Sequence, residues 1–428
     1  MAQVPLNQAS LKEAWSLQDW LTYLNEIHPT NIELGLERVS SVFKTLNISF
    51  LEKTVVTVAG TNGKGTTCAL IEQAVLAANK TVGVFSSPHL VDYRERVRIN
   101  GEMLSEAAHC SAFLQVEKAR GNTSLTYFEF GTLAAMQLLF DAGVDYLLLE
   151  VGLGGRLDAV NIIDPNIAVI TGIDLDHQDW LGNSKELIAK EKAGIFRANI
   201  PAVIGEPEPT ESLRQAVLDY QVDAKWQGST FCYSVNEQGF HWQGKESKFD
   251  SLPSPHIPLQ NASTALQVIE LLKLELDQQA IASVFKHTRL PGRRQIIQSN
   301  PTVILDVAHN PQATRLLAAD LRQKKFKRLI AVVGMLADKD ISETLAPMLD
   351  LVDSWYCADL NVPRGAKAKA LVSVLATTEK VLEFTTVENA YSEALQQADK
   401  EDCVIVFGSF FTITDILSLH SKYLLSED

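Results

Sequence analysis

The chain has 428 residues, of which 46% are hydrophobic and 21% charged, the balance of a soluble globular protein with two or three domains. Its formal net charge of −14 excludes broad binding to nucleic acids or anionic membranes, because there is no cationic excess to neutralise phosphates. Five scattered cysteines, no stretch of membrane-spanning length and no apolar segment before a cleavage site predict a cytoplasmic protein with reduced thiols, which we expect to be a monomer.

In chain order, the first 50 residues predict a helix at 11–27 and a second helix that starts within 31–39. From residue 54 the pattern alternates between strand and helix, which is typical of a parallel, doubly wound sheet. Ligands bind at the carboxyl ends of such strands, so the polar residues after each strand form the candidate site. The predicted strands are 54–59, 81–85, 146–151 and 167–171, and the predicted helices are 66–78, 105–120 and 127–142.

A second α/β series follows a segment at 289–294 that combines proline, glycine and charge and therefore predicts a hinge. Before it, 222–258 predicts short antiparallel strands, and 260–274 and 277–287 predict helices. We expect an N-terminal P-loop doubly wound ATPase domain with N-terminal helices (1–291) and a smaller C-terminal Rossmann-like α/β domain (298–428). The predicted C-terminal strands lie near 302–307, 328–333, 354–357 and 403–407, and the helices near 311–323, 341–350, 366–375 and 387–398.

One loop joins the strand at 54–59 to the next helix, with the sequence Gly60-Thr61-Asn62-Gly63-Lys64-Gly65-Thr66-Thr67. Its glycines let backbone N–H groups approach a polyphosphate, the helix N-terminus adds partial positive charge, and Lys64 supplies an ammonium. Thr66 would place a hydroxyl near a magnesium ion. Val58 and Gly65 depart from the eight-residue P-loop pattern, so the loop is a variant, and a structural turn is the alternative. The loop predicts a nucleotide-binding protein.

Glu150 ends an otherwise apolar strand, where a carboxylate is seldom buried without a partner or a metal. Beside a phosphate loop this favours a magnesium ligand, with Ser87 at the end of the neighbouring strand as a second oxygen. The alternatives are that Glu150 caps the glycine turn 152–155 and that Ser87 caps a turn. His177 follows another strand. Since magnesium prefers oxygen to imidazole, His177 stays open between a metal ligand and a residue that only hydrogen-bonds within its loop.

Lys192 lies on a predicted helix that has Asn183 as N-cap and Glu186 as capping-box partner and runs to about Phe196. Helical spacing places Lys192 on an apolar face. An ammonium there must reach water with its long side chain, find a partner or lose its charge. The first of these is the structural alternative to a functional lysine.

The second series has its own candidate residues in Asp306-Val307-Ala308-His309-Asn310-Pro311, which follows a strand and precedes a helix that Pro311 would start well. Asp306 and His309 could grip a ribose or an amino acid, or they could simply cap the helix. Arg293 could reach phosphates, although arginines in such hinges are commonly just solvated.

Together these stretches resemble the folylpolyglutamate synthase and dihydrofolate synthase family, relatives of the Mur peptide ligases. The resemblance covers nearly the whole chain, and the order of the motifs is more specific than any single motif. Val160 stands where the family normally has threonine. The motifs are Gly60–Thr66, Ser86-Ser87-Pro88-His89-Leu90, Leu149–Asp158, Lys190-Glu191-Lys192-Ala193-Gly194-Ile195-Phe196, Leu290-Pro291-Gly292-Arg293, Asp306–Pro311 and Gly408-Ser409-Phe410.

The resemblance implies a role for each candidate. Two magnesium ions would be bound, one by Ser87 and Glu150 and the other by His177 and a carbamate on Lys192. Lys64, Lys192 and His309 would be catalytic, and His309 and Ser409 would receive L-glutamate. ATP would be held by Asn62, Gly63, Lys64, Gly65, Thr66, Asn261, Arg293 and Asp306. A dihydropteroate pocket would be formed by Ile32, Glu33, Leu34, Thr126, Tyr127, Phe128, Glu129, Leu157, Asp158 and Ala159.

The implied function is an ATP-dependent amide ligase. A pteroate or folate carboxylate would attack the γ-phosphate of ATP, and the amine of L-glutamate would then displace phosphate from the acyl phosphate. The products would be dihydrofolate and polyglutamylated reduced folates. Two alternatives remain, a Mur-type peptide ligase that acts on a nucleotide-linked substrate and a nucleotide-dependent switch without ligase chemistry.

Overall fold

The computed structural model describes residues 12–30, 32–376, 378 and 380–420. The chain divides into two compact units, Met1–Thr288 and Arg289–Asp428, and each is described by itself. The functional domain limits 1–291 and 298–428 stay a prediction, and their ends at 1–11 and 421–428 lie outside the described residues, as do the first residues of the helices predicted at 11–27 and within 31–39. In the described part of the chain, no helix is long and apolar enough to span a membrane.

An eight-stranded sheet forms the centre of the first unit. Its strands are β1 (Thr54–Ala59), β2 (Val82–Phe85), β3 (Val97–Ile99), β4 (Glu102–Met103), β5 (Tyr146–Glu150), β6 (Ile167–Ile170), β7 (Pro201–Ile204) and β8 (Asp223–Trp226). Their spatial order is β4-β3-β2-β5-β1-β6-β7-β8. All neighbours from β2 to β8 in that order pair in parallel, whereas β3 and β4 form an antiparallel edge. The doubly wound sheet expected from the sequence is therefore present.

Helices cover both faces of this sheet, which explains why its central strands are mostly apolar. Along β5, Leu147 and Leu149 point into one core, with Trp20 and Phe130, because successive side chains of a strand alternate in direction. Leu148 points into the other core. The helices are Leu17–Leu24, Glu37–Leu46, Lys64–Ala77, Glu106–Arg120, Tyr127–Ala142, Gln178–Leu181, Lys185–Lys192, Glu211–Asp219, Leu259–Leu271 and Gln278–His287.

Three further strands confirm the short antiparallel strands that the sequence predicts within 222–258. They are β9 (Cys232–Asn236), β10 (Gly239–Gln243) and β11 (Lys248–Leu252), with β10 in the middle. The same prediction is wrong for β8, which lies within 222–258 but pairs in parallel with β7. The sequence did not predict β7, the helix between β7 and β8, or the β3–β4 hairpin. The two strands of the hairpin are only three and two residues long and mostly not buried, so there is no apolar run to mark them.

The second unit contains a six-stranded sheet in which only one edge strand is antiparallel. The strands are β12 (Gln295–Ser299), β13 (Thr302–Leu305), β14 (Leu329–Val333), β15 (Ser354–Ala358), β16 (Val381–Phe384) and β17 (Cys403–Phe407). Their order is β12-β13-β17-β14-β15-β16. The helices are Pro311–Leu321, Ile341–Leu345, Ala368–Val374, Val387–Gln397 and Phe410–Leu419. The helix predicted at 341–350 ends at Leu345 and continues as a 3₁₀ turn that contains Pro347, since proline cannot donate the next helical hydrogen bond.

Candidate active site

The phosphate loop connects β1 to the helix Lys64–Ala77. Gly63 is the N-cap with a φ of 87°, a left-handed conformation that glycine adopts without strain, and no side chain caps the helix N-terminus. The Lys64 amine donates to the carbonyl oxygens of Gly60 and Thr61, at 3.1 and 3.4 Å. The ammonium thus lies over its own loop, and the helix N-terminus has no side-chain cap. A lysine and an uncapped helix N-terminus together suit a polyphosphate.

The segment that follows β6 holds this loop in place. The hydroxyl of Thr171 donates to the carbonyl of Asn62 at 2.6 Å. The hydroxyl of Thr61 donates to the Asp174 carbonyl and accepts from the Asp174 N–H, both at 3.0 Å. Because backbone atoms on both sides are fixed, the loop shape is set before any ligand binds.

Ser87 and Glu150 meet at the ends of the neighbouring strands β2 and β5. The Ser87 N–H donates to Oε2 of Glu150 at 3.2 Å, and Glu150 is only 6% exposed. A hydroxyl and a carboxylate are hard oxygen donors, so this pair fits magnesium. Within the described residues, no group of three His, Cys, Asp or Glu side chains has a metal-binding arrangement.

Asp158 caps the glycine-rich turn after β5. Its two carboxylate oxygens accept from the N–H groups of Leu153 and Val160, at 2.8 and 3.0 Å. Burial raises the pKa of Asp158 to about 6 against the effect of these hydrogen bonds. The sequence left open that Glu150 caps this turn. In the structure, Asp158 supplies the cap.

Lys192 ends the helix Lys185–Lys192 and is 3% exposed. Burial, assisted by the nearby charge of Lys64, lowers the pKa of Lys192 to about 7, although Asp176 and Asp158 act in the opposite direction. The long side chain does not reach water, which removes the structural alternative. Burial therefore favours the neutral amine, which is accessible near pH 7.

The helix that carries Lys192 begins differently from the prediction. Its N-cap is Ser184 instead of Asn183, with the Ser184 hydroxyl accepting from the Leu187 N–H. The Glu186 carboxylate accepts from the N–H of Ser212 at 2.8 Å instead of completing a capping box. The α-helix stops at Lys192, and a 3₁₀ turn, Ala193–Ile195, leads to the buried Phe196.

His177 is exposed at the N-cap of the short helix Gln178–Leu181, with a φ of 50°. A left-handed histidine is uncommon and often marks a constrained functional loop. Its N–H donates to Oδ1 of Asp176, which is 9% exposed. Sequence reasoning did not select Asp176, although a second acidic residue directly before His177 was a usable signal.

The residues assigned to a dihydropteroate pocket come together through Arg38. Its guanidinium bonds the carboxylate of Glu33 and donates to Oε1 of Glu129 at 2.9 Å. Glu129 also closes a capping box with Thr126, the N-cap of the helix Tyr127–Ala142. Through Arg38, the two carboxylates thus hold the segment 32–34 and the helix Tyr127–Ala142 together. No local pattern around Arg38 could reveal this role, because Glu129 lies 91 positions away.

Aromatic rings line the same region. Phe128 packs against Gly152, where any side chain would collide with the ring. The Arg96 guanidinium lies 5.6 Å from the centre of the Tyr127 ring and donates to Nδ1 of His89 at 2.8 Å. Burial and the Arg96 charge lower the pKa of His89 to about 4. Of the remaining predicted pocket residues, three are partly buried and one is buried: Ile32, Leu34 and Leu157, and Ala159.

In the second unit, the predicted residues gather at the ends of β13 and β17. Arg293 lies 4.9 Å from the centre of the Phe410 ring, and the ring centres of His309 and Phe410 are 5.9 Å apart. Ser409 is the N-cap of the helix Phe410–Leu419. Asp306 accepts from the Arg294 and Ala308 N–H groups, and burial raises its pKa despite the Arg293 charge.

Two family models match this chain, the Mur ligase middle domain over residues 58–268 and the Mur ligase, glutamate ligase domain over residues 292–410. The phosphate loop in the first unit and the glutamate ligase domain in the second define an ATP-dependent, amide-forming ligase of the Mur class. A relative named dihydrofolate synthase/folylpolyglutamate synthase from Escherichia coli is 46% identical over 404 residues, 94% of this chain and 95% of that protein. A relative of the same name from Haemophilus influenzae is 39% identical over 432 residues, 96% of this chain and 99% of that protein. The chain belongs to the dihydrofolate synthase/folylpolyglutamate synthase family.

Solved structures agree with this assignment. The Escherichia coli FolC complex with DHPP and ADP has a TM-score of 0.93 at 45% identity and covers 96% of this chain and 99% of its own. The bifunctional enzyme from Yersinia pestis, complexed with AMPPNP and Mn ion, has a TM-score of 0.90 at 47% identity and the same coverage. A further structure of a bifunctional enzyme contains Mn, AMPPNP and L-glutamate and has a TM-score of 0.90 at 47% identity, again covering 96% of this chain and 99% of its own.

Proposed function

We propose that this enzyme adds L-glutamate to dihydropteroate, which makes dihydrofolate, and to reduced folates, which lengthens their glutamate tail. The observation that carries the proposal is the convergence of Lys64, the Ser87–Glu150 pair and the buried Lys192 around the carboxyl end of the first sheet. Relatives with 46% and 39% identity that bear both activities in their names support it.

The reaction has two steps. A carboxylate oxygen of the pterin substrate attacks the γ-phosphorus of ATP, the bond to the β,γ-bridging oxygen breaks, and ADP leaves. The neutral amine of L-glutamate then attacks the acyl carbon and expels phosphate. Lys64 and the free N–H groups of its helix stabilise the charge on the transferring phosphoryl group, which is mostly a matter of positioning and electrostatics.

We infer that the first unit binds two magnesium ions. Ser87 and Glu150 would hold one of them, and His177 together with a carbamylated Lys192 would hold the other. When bound, magnesium neutralises phosphate charge and orients the phosphoryl group. The relatives' complexes with Mn support the use of a divalent metal.

The environment of Lys192 supports carbamylation of its amine. A neutral amine adds to carbon dioxide, a C–N bond forms, and one proton is released as the carbamate anion appears. Burial at 3% exposure and a pKa of about 7 make the neutral amine available near physiological pH. The product replaces a costly buried cation with an anion that a metal can use.

The second unit would receive L-glutamate through His309 and Ser409, and Arg293 and Asp306 would contribute to ATP binding. The proximity of Arg293 and His309 to the same ring, Phe410, supports a common site for these groups.

For the pterin, Tyr127 and Phe128 supply ring faces. Asp158, Glu33 and Glu129 already bond backbone or Arg38, which supports a role in shaping the pocket alongside direct contact. We further infer that the enzyme works in the cytoplasm, and we expect it to be a monomer.

The test supplies the purified full-length chain with ATP, magnesium and L-glutamate, and with either dihydropteroate or tetrahydrofolate. We expect dihydrofolate from the first, an extended folate from the second, and one ADP per amide bond. Extension of tetrahydrofolate without turnover of dihydropteroate would restrict the enzyme to polyglutamylation. Turnover of a uridine-nucleotide peptide and of neither pterin would establish the Mur-type peptide ligase instead.

A further inference from the structure

Arg98 on β3 is a largely buried arginine outside the predicted site. Its guanidinium makes a two-pronged contact with Glu72: Nη2 to Oε2 at 2.7 Å and Nε to Oε1 at 3.3 Å. The Arg98 side chain is 18% exposed and that of Glu72 is 4% exposed. Two charges have therefore been removed from water to make one ion pair.

This pair connects two parts of the candidate site. Glu72 lies on the helix Lys64–Ala77, which begins at the phosphate loop. From β3, the Nη1 group of Arg98 donates to the Ser86 hydroxyl and to the Glu95 carbonyl, each at 3.4 Å. Ser86 directly precedes Ser87. The contacts thus run from the phosphate-loop helix to the turn that carries a predicted metal ligand.

A second anchor holds the far side of the same turn. The Glu95 carboxylate accepts from three successive N–H groups, those of Leu90, Val91 and Asp92, at 2.7, 2.8 and 2.7 Å. The backbone N–H of Ser87 itself donates to Glu150. Arg98 bonds Ser86 on one side of Ser87, and the Glu95 carboxylate bonds the backbone from Leu90 onward on the other side. The position of Ser87 is therefore fixed from both directions along the chain.

Stability alone does not account for the pair. A buried ion pair is commonly no more stabilising than two apolar side chains of similar size, because desolvation offsets the attraction. Burial disfavours the charge of Arg98, but the carboxylates of Glu72 and Glu150 outweigh it, so the pKa of Arg98 lies above its ordinary value. The guanidinium therefore stays charged and keeps its fixed hydrogen-bonding geometry.

We propose that Arg98 and Glu72 are positioning residues that hold the Ser86–Ser87 turn against the phosphate-loop helix. They thereby keep Ser87 and Glu150 in the geometry that binds the divalent metal accompanying the nucleotide. The proposal rests on the proposed function only in taking Ser87 and Glu150 as metal ligands. Loss of a residue that holds metal ligands in place commonly lowers the affinity for the metal by about 10- to 100-fold.

The experiment compares the full-length chain with Arg98→Met, Glu72→Leu and the double variant. Calorimetry measures the affinity for a non-hydrolysable ATP analogue in EDTA and over a magnesium titration, and thermal unfolding is followed without ligands. Each single variant leaves a buried charge unpaired and lowers the unfolding midpoint. The double variant recovers most of that loss, since no charge remains to be buried.

In the double variant, we expect the magnesium concentration that gives half of the maximal gain in nucleotide affinity to rise about 10- to 100-fold. The nucleotide affinity measured in EDTA should be unchanged. Arg98→Lys, which keeps the charge and loses the planar fork, should show the same weakening at near-normal stability. Arg94→Met is the matched control, because Arg94 on the same segment bonds Asp92.

A wild-type magnesium requirement in Arg98→Lys and in a folded double variant would overturn the proposal. Failure of the parent enzyme to turn over either pterin, with magnesium coupling intact, would count against the proposed function and leave this inference standing.

Discussion

The side-chain amide of Asn261 donates a hydrogen bond to the hydroxyl of Thr66 at 2.8 Å, across 195 positions of sequence. The Thr66 hydroxyl donates in turn to the carbonyl of Gly63 at 3.0 Å. The Asn261 side chain also fills the space beside Gly63 that a Cβ would need. The helix that starts at Leu259 therefore supports the phosphate loop from behind, and this gives a structural basis for the predicted role of Asn261 in ATP binding.

We expect Asn261→Ala to raise the Kd for ATP by a factor that corresponds to about 1–3 kcal/mol, because the buried Thr66 hydroxyl loses its donor. Calorimetry with a non-hydrolysable analogue measures this effect. Asn25→Ala removes an amide that only bonds the Leu21 carbonyl in an exposed helix end, and it should bind ATP normally. Unchanged affinity in a folded Asn261→Ala protein would contradict a supporting role for Asn261.

Lys64→Ala should fold normally and lose most of its turnover. The missing ammonium acts on the transferring phosphoryl group, and the barrier should rise by about 2.7–4 kcal/mol, the range for removal of one preorganised electrostatic group. Steady-state release of ADP measures kcat, with circular dichroism as the check on folding. Lys80→Ala, at an exposed position after the same helix, is the matched control. Near-normal turnover in Lys64→Ala would contradict the phosphate-loop assignment.

Lys192→Ala should be inactive and should regain part of its activity with acetate or formate, because a small carboxylate can occupy the place of the carbamate. Labelling with ¹³C-bicarbonate should give the parent protein a carbamate carbon resonance that the variant lacks. Lys190→Ala, on the exposed side of the same helix, should retain both activity and the resonance. Active parent enzyme without a carbamate signal would contradict carbamylation.

The central strands and the phosphate loop were predictable because each is encoded by neighbouring residues. An apolar run, a glycine and a helix former suffice to indicate β1, Gly63 and the helix Lys64–Ala77. The same reasoning predicted Ser87 and Glu150 at adjacent strand ends, since parallel strands bring their carboxyl ends to one edge. The hydrogen bond between the Ser87 N–H and Glu150 agrees with this expectation.

Contacts between distant positions could not be predicted in this way. The bonds of Asn261 to Thr66 and of Arg38 to Glu129 depend on how helices pack, and that of Arg98 to Glu72 on how a helix packs against the sheet, not on local periodicity. Helix ends also depend on competition for partners. Glu186 suits a capping box in sequence, yet the N–H of Ser212, from the next helix, takes its carboxylate in the fold.

The pH dependence of stability should reflect His109, which is 1% exposed beside the rings of Tyr93 and Phe113. Burial lowers the pKa of His109 to about 4, with Arg94 in the same direction and Asp92 opposing. The unfolded value is near 6.5, so the folded state favours the neutral ring. That stability is complete above pH 6.5 and is lost as the pH falls towards 4, by up to about 3 kcal/mol.

Urea unfolding at pH 7.5 and pH 5 measures the effect. His109→Phe should lose less stability between these two values than the parent, because it has no ring to protonate. His287→Gln, at the exposed end of the helix Gln278–His287, should follow the parent curve. His89 has a similarly lowered pKa and remains in both proteins, so the difference between parent and variant isolates His109. An equal loss in parent and His109→Phe would contradict the role assigned to this residue.

Arg38→Gln should impair dihydropteroate turnover more than folate extension. The Arg38 guanidinium bonds Glu33 and Glu129, and His28 adds a bond from Nε2 to the Glu33 carboxylate at 2.9 Å. Without the guanidinium, the segment that contains Ile32 and Leu34 loses its link to the helix Tyr127–Ala142. Because the dihydropteroate pocket is assigned to these two segments, the KM for dihydropteroate should rise. The affinity for ATP should stay constant, because ATP binding depends on another loop.

The measurement is a full kinetic comparison of Arg38→Gln and parent with dihydropteroate and with tetrahydrofolate, at saturating ATP and L-glutamate. We expect the KM for dihydropteroate to rise about tenfold, in line with the loss of a charged hydrogen bond of about 1.5 kcal/mol, and kcat to change little. Arg38→Lys, which can keep one of the two contacts, should fall between the parent and Arg38→Gln. Arg214→Gln removes an exposed arginine that lies over Trp226 and should behave as the parent with both substrates. A KM that rises equally for the two pterins would mean that Arg38 supports the whole fold of the first unit, and an unchanged KM for both would separate residues 32–34 from the pterin pocket.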